Sequence, residues 1–184
     1  YPSKPMLSID FGHLDKILEG AFRPGHFNGV GIVVSKLLYI VKPHEAFFGQ
    51  KDLQQVAVIK RLVLDLSFDV KINIVPTIRE EDGVALSSRN LRLSEDSRRS
   101  ARIISQALFF AKAELLAGNS WLSIRKKINQ MFESEPKAKL EYFELVTSDS
   151  FYVLEDIGEE KNVSICTAAY FGDVRLIDNI SIFD

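Results

Sequence analysis

The sequence predicts an α/β fold in its first third and an α+β fold beyond it, and three observations carry that expectation. A short apolar run, Glu45 to Phe48, passes through Gly49 into a helix-spaced stripe at Leu53, Val56, Ile59, Val63 and Leu66, and then into an alternating run from Val70 to Val75. Strand, helix and strand joined by short connections make the pattern of a parallel crossover unit. Two further helix-spaced stripes then precede three β-like runs, which is the α+β order.

Taken in order, the apolar stretch Val30 to Val41 reads as a buried helix, entered through the Pro-Gly turn of Arg23-Pro24-Gly25-His26-Phe27, where His26 reads as a surface or capping residue. The crossover helix spans about Lys51 to Leu66, and Pro76 ends the strand after it. Arg79-Glu80-Glu81-Asp82-Gly83 reads as a solvated turn and marks the domain boundary, giving domains 1–77 and 78–184. Ser94 is placed to cap one helix, with Glu95 and Asp96 in its first turn, Ile104, Leu108, Ala111 and Leu115 on its core face, and Gly118 at its end. Trp121, Ile124, Ile128 and Phe132 define a second helix that stops before Pro136. Strands are expected at Leu140 to Val146, Val163 to Tyr170 and Val174 to Ile182.

Composition excludes several classes. The 184 residues are 46% hydrophobic and 26% charged, which fits a globular chain and not a disordered one. With 23 Lys plus Arg against 25 Asp plus Glu, the net charge of -2 offers no field for nucleic acid, and Arg98, Arg99 and Arg102 read as an exposed helix face. The longest apolar stretch falls short of the roughly 18 residues that span a bilayer. The single Cys166 cannot form an internal disulfide, which points to a reducing cytosol and to a small buried residue, not a nucleophile. His13, His26 and His44 lack metal-ligand spacing, so no protein-held metal is expected.

Two clusters have the makings of a site. Gly49-Gln50-Lys51-Asp52 sits where an apolar strand turns into a helix, the place where ligands bind in open α/β sheets. Gly49 admits a ligand to the backbone, Lys51 neutralises phosphate, Asp52 accepts from hydroxyls, and Gln55 lies three residues on along the same helix face. The plainer reading is a Gly turn and a solvated helix start with Asp52 on the dipole, and short motifs alone favour it. Leu86-Ser87-Ser88-Arg89-Asn90 supplies hydroxyls and a guanidinium in succession, which can wrap phosphate oxygens or can simply lead into the Ser94 cap.

Four strings taken together resemble the pantoate-β-alanine ligase family: Leu18-Glu19-Gly20-Ala21-Phe22-Arg23-Pro24-Gly25-His26-Phe27 with Gly29-Val30, Phe48 to Gln55, Asp82-Gly83 leading into Leu86 to Asn90, and Gly172-Asp173-Val174-Arg175-Leu176-Ile177-Asp178-Asn179. Their order and spacing match over essentially the whole chain. The resemblance implies the C-terminal part of a Rossmann-like nucleotidyltransferase domain followed by a small α+β lid domain. It implies ATP-dependent joining of pantoate to β-alanine through a pantoyl adenylate, with Mg²⁺, in the cytoplasm, and a homodimer for the whole protein. By the same resemblance Gly49, Gln50, Lys51 and Asp52 line the ATP site, Ile78 lies against adenine, Leu86, Ser87, Ser88 and Arg89 hold the phosphates, and Gln55 binds pantoate. Lys51, Ser87, Ser88 and Arg89 are then the catalytic groups.

Gln50 stands where the family usually has Glu, and His44 where an Asp after Pro is common. The family's His-x-Gly-His signature and the Asn and Gln of its acid pocket have no counterpart in this sequence, and the chain opens on Tyr1. The expectation is therefore a piece matching the C-terminal two-thirds of such an enzyme, inactive alone. A rival expectation is a non-catalytic nucleotide-binding or interaction module of the same fold, and an upstream His-x-Gly-His segment would exclude it.

Overall fold

Gly25 takes the left-handed conformation (φ +78°) that a side chain resists, and in the computed structural model, which describes residues 3 and 5–183, this turn separates helix α1 (Leu18–Phe22) from α2 (His26–Val41). Strand β1 (Glu45–Gly49), helix α3 (Leu53–Asp65) and strand β2 (Lys71–Val75) follow, and β1 pairs with β2 in parallel from Glu45↔Lys71 to Gly49↔Val75. The expected crossover is thus present. Val34 and Leu38 of α2 pack with Ile59 and Leu62 of α3, and Ala46, Phe48 and Ile72 from the sheet join them, with Val70 just before β2. That core covers one face of the strands. Along β1, Ala46 and Phe48 are half-buried whereas Phe47 is 66% exposed.

One expectation needs correction here. The α2 helix is buried on one side only, and Leu37, Tyr39 and Ile40 remain exposed, because nothing in its own unit packs on that side. The sequence reads Val30 to Val41 as a buried helix, as a run with so few polar residues would be.

The chain divides into two compact units, one running up to Val75 together with Asp149–Phe151, the other comprising Pro76–Ser148 and the chain from Tyr152. In the second, helices α4 (Glu95–Ser100), α5 (Arg102–Leu116) and α6 (Trp121–Glu133) precede the antiparallel sheet of β3 (Ala138–Thr147), β4 (Val163–Phe171) and β5 (Val174–Ser181), ordered β3-β4-β5. The two apolar stripes behave as their spacing dictates. Ile104, Leu108, Ala111 and Leu115 join Trp121, Ile124, Ile128 and Phe132 against Phe143, Leu145, Ile165, Ala169 and Phe171 in one continuous core. Trp121 stacks on Phe143 with centroids 5.8 Å apart. Cys166 lies buried on β4, as a small core residue.

The Ser94 cap forms, its hydroxyl accepting from Ser97 N at 3.2 Å, but the single helix expected after it is two. The α4 ladder closes at Ala101, whose N–H reaches Ser97 O, and α5 opens with a tighter bond from Ile104 N to Ala101 O. Burial of Ala101 and the bond from Ser100 Oγ to Glu135 hold α4 in its own direction, a tertiary pull that periodicity cannot report.

The acidic stretch Arg79 to Gly83 is the larger correction. It is no solvated turn: Glu80 N bonds to Val84 O, Leu86 N to Ile78 O, and Arg79 pairs with Ala85, so residues 78–86 form a small hairpin. Nor is Arg98 part of an exposed basic face. Its guanidinium donates to Asp82 at 2.6 and 3.0 Å and to Glu80 at 2.9 Å, while Arg99 and Arg102 stay exposed. The acids recruit the arginine from a different element, across 16 and 18 residues.

Candidate active site

In the N-terminal unit, β1 ends at Gly49 and the chain makes one turn of 3₁₀ helix, Gln50–Asp52, before α3 begins. A Cβ built on Gly49 would meet nothing within 4 Å, so the backbone there faces open space. Asp52 occupies the cap position of α3 yet its carboxylate caps nothing; it is exposed and has no partner among the described residues. The plainer sequence reading had it supporting the helix start. A carboxylate beside a helix N-terminus still gains from the dipole, but its acceptor oxygens remain available.

Gln54 and Gln55 are adjacent and differ completely. Gln54 is 4% exposed and fully committed: its Oε1 accepts from Glu19 N at 3.0 Å, and its Nε2 donates to Leu14 O at 2.9 Å and Ile17 O at 3.0 Å. It satisfies three backbone groups of the segment before α2, which is a structural task. Gln55 is half-buried, and its amide has no partner among the described residues. Local sequence did not separate the two; which one faces the preceding segment is a matter of helix phase.

In the C-terminal unit, Ile78 and Leu86 are the two ends of the hairpin, bonded through Leu86 N to Ile78 O at 2.8 Å and exposed at 65% and 56%. Ser87 Oγ then accepts from Arg89 N at 3.2 Å and starts a 3₁₀ turn, Ser88–Arg92. Ser88 is exposed and Arg89 half-buried, and neither the hydroxyl of Ser88 nor the guanidinium of Arg89 has a partner among the described residues. Asn90 ties this turn to the hairpin by donating to Glu80 at 2.7 Å and Ala85 O at 3.1 Å. Arg98 holds the Glu80 and Asp82 carboxyls below their ordinary values, by hydrogen bonds to both, with Asn90 adding to the effect at Glu80. The guanidinium is itself held more firmly charged by the same bonds.

The fold therefore gathers Gly49 to Asp52 and Gln55 at the carboxyl end of β1, and Ile78 with Leu86 to Arg89 on the hairpin and the turn that follows it. Sequence reasoning missed Arg79, Asp178 and Gln54. Arg79 meets Asp178 across 99 residues, and no local pattern announces such a pair.

The class comes from the fold: helices and strands arranged as in solved pantothenate synthetases, an α/β architecture. The pantothenate synthetase of Thermus thermophilus matches with a TM-score of 0.90 and 36% identity over 97% of this chain and 63% of that one. A pantoate-β-alanine ligase from Francisella tularensis, solved in complex with β-γ ATP and β-alanine, matches with a TM-score of 0.74 and 36% identity over 99% of this chain and 60% of that one. Residues 1–181 match the family model of pantoate-β-alanine ligase, and the chain belongs to that family. Pantothenate synthetases of Cytophaga hutchinsonii and Bacteroides fragilis are 44% and 45% identical to it over 99% and 98% of its length. The chain spans 65% and 64% of those two proteins.

Proposed function

We propose that this chain contributes the C-terminal part of an ATP-dependent pantoate-β-alanine ligase, an assignment toward which the family membership and the ATP and β-alanine complex of the Francisella relative both lean. In this reading the unit ending at Val75 belongs to a Rossmann-like nucleotide-binding domain and the following unit is a lid. The carboxylate of pantoate attacks the α-phosphorus of MgATP and pyrophosphate leaves; the amine of β-alanine then attacks the acyl carbon, and AMP leaves as the amine loses a proton. Mg²⁺ enters with the nucleotide as part of the substrate, in keeping with this ion's preference for phosphate and water ligands.

The observation that carries the proposal is a division of labour among neighbours. Asp52, Gln55, Ser88 and Arg89 make no side-chain hydrogen bond or ion pair among the described residues, whereas Gln54, Arg79 and Arg98 are each held by three or more hydrogen bonds. Polar groups held in place without a structural task suit a ligand. Lys51 and Arg89 cancel the repulsion between carboxylate and triphosphate and stabilise the departing pyrophosphate. Ser87 and Ser88 add donors, Gly49 and Gln50 lie along the nucleotide, Ile78 and Leu86 give apolar contact, and Gln55 hydrogen-bonds pantoate. Closing the second unit over the phosphates would shield the adenylate from water. A reducing cytoplasm and a homodimeric whole protein belong to the same reading.

The sequence contains no His-x-Gly-His segment, so the isolated chain is proposed to bind nucleotide weakly and not to turn over. The test uses a completed protein, in which the remaining third is supplied by the Bacteroides fragilis relative. Lys51→Ala and Arg89→Ala should each slow pyrophosphate release, measured without β-alanine, by an amount equivalent to about 2 to 4 kcal/mol. Near wild-type release by both variants rules out the assignment of these two cations.

A further inference from the structure

Arg89 reaches the phosphates, in the function proposed above, from a turn whose direction must come from somewhere. Its side chain has no partner among the described residues, so only the backbone of the Ser87–Arg92 turn aims it. That backbone is bonded to the hairpin through Asn90, at Glu80 and at Ala85 O. The hairpin in turn is fastened to β5 through Arg79. Arg79 donates to Asp178 Oδ2 at 2.6 Å and Oδ1 at 3.1 Å as a two-pronged fork, and the second N–H of each terminal nitrogen reaches Asn179 O at 3.2 Å or, across the hairpin, Gly83 O at 3.0 Å. The Phe109 ring lies beneath it, 5.2 Å from the guanidinium carbon.

We propose that Arg79, acting through Asp178, is a positioning residue that presets the Ser87–Arg89 turn for the phosphates of ATP. The proposal rests on the reading of that turn as the phosphate contact. Asp178 has a side chain 2% exposed, and burying such a pair is a poor way to gain stability, since two apolar groups would hold a hairpin as well. What the fork adds is direction: planar, bidentate and joined to two carbonyls, it fixes the hairpin's angle to β5 as an ammonium cannot. A displacement of about 1 Å at a reacting group costs on the order of a hundredfold in rate.

The experiment measures single-turnover pyrophosphate release by the completed protein at saturating ATP and pantoate, with thermal midpoints for every variant. Arg79→Lys keeps the charge and loses the fork, and it should slow release by roughly 30- to 100-fold while the half-saturating ATP concentration moves by less than about threefold. The control is Arg175→Lys, at another half-hidden pair: Arg175 donates to Glu141 at 2.5 and 2.9 Å, joining β5 to β3. It should lower the midpoint by as much and leave the rate alone. Because Arg79 acts through Arg89, the double variant Arg79→Lys, Arg89→Ala should be no slower than Arg89→Ala by itself.

Equal rate losses for the two lysine variants, or losses that multiply in the double variant, overturn the positioning role. A slow Arg89→Ala with a normal Arg79→Lys overturns this proposal and leaves the proposed function standing. A normal Arg89→Ala overturns both. Should Arg79→Lys yield no folded protein, Phe109→Leu removes only the half-exposed ring under the guanidinium, and the same rate loss in smaller measure is expected; an unchanged rate counts against the role.

Discussion

The two units bury their strands in opposite fashions. In the C-terminal unit β4 is buried along nearly its whole length, paired on both edges and backed by α5, while α6 covers the neighbouring β3. In the N-terminal unit β1 and β2 have α2 and α3 packed on one face, and Phe47, Ile74 and Val75 are 40% or more exposed. An antiparallel sheet of adjacent strands completes its own hydrogen bonding from a contiguous stretch of chain, whereas parallel strands take partners from distant sequence and are normally covered on both faces. The first unit thus holds four of the proposed nucleotide contacts, Gly49 to Asp52, on the less enclosed scaffold, and the second holds the other five, Ile78 and Leu86 to Arg89, on the more enclosed one.

Separate unfolding is the sharpest way to break that contrast. The single Trp121 lies in the second core, so its fluorescence reports that unit alone. Leu108→Ala, at a fully buried position, should lower its urea midpoint by the equivalent of about 2 to 5 kcal/mol. Ile59→Ala, equally buried but in the first unit, should instead reduce helical circular dichroism at low urea and leave the Trp transition where it was. A common shift in both signals would mean the units unfold as one.

A smaller effect separates Gln54 from Gln55. Gln54→Leu strands three backbone groups and should cost about 1 to 3 kcal/mol, seen as faster hydrogen exchange over residues 14–19. Gln55→Leu should stay within about 0.5 kcal/mol of the parent in stability and, in the completed protein, raise the KM for pantoate with ATP nearly unaffected. A selective ATP defect would reverse the role assigned to Gln55.

The smallest effect concerns acid. The folded values of Glu80 and Asp82 are depressed, chiefly by hydrogen bonds from Arg98, so their contribution is present above the ordinary values of 4.5 and 3.8 and is lost as pH falls through the lower folded values. Burial raises the Glu144 carboxyl, which acts with the opposite sign, and Arg125 offsets part of it. Arg98→Gln should therefore cost about 1 kcal/mol at neutral pH and progressively less below pH ~4, flattening the acid limb of a midpoint-against-pH curve. An acid limb as steep as the parent's would show that other groups set it.

Helix phase and strand alternation were legible because they are local: the stripes of α3, α5 and α6 and all the strands lie close to where spacing put them. The candidate site was legible as strings, since Gly49 to Gln55 and Leu86 to Asn90 are contiguous. Left dark were the groups that act at long range. In the acidic stretch, Arg79 looks solvated until Asp178 arrives from another element, as Glu80 and Asp82 do until Arg98 arrives, and the break at Ala101 depends on packing around Ser100.

By itself the sequence determined the order of the strands and of α3, α5 and α6, the core faces of those three helices, the turn at Gly25 and the chemistry available at the two motifs, because 3.6- and 2-residue periods and glycine sterics act over a few residues. Tertiary structure alone decided which glutamine is structural and which has no partner among the described residues, that residues 78–86 form an anchored hairpin, and which arginines are tied down. Those outcomes depend on where a buried carboxylate or carbonyl lies in space, and a charge taken out of water accepts only a partner that the fold delivers to it.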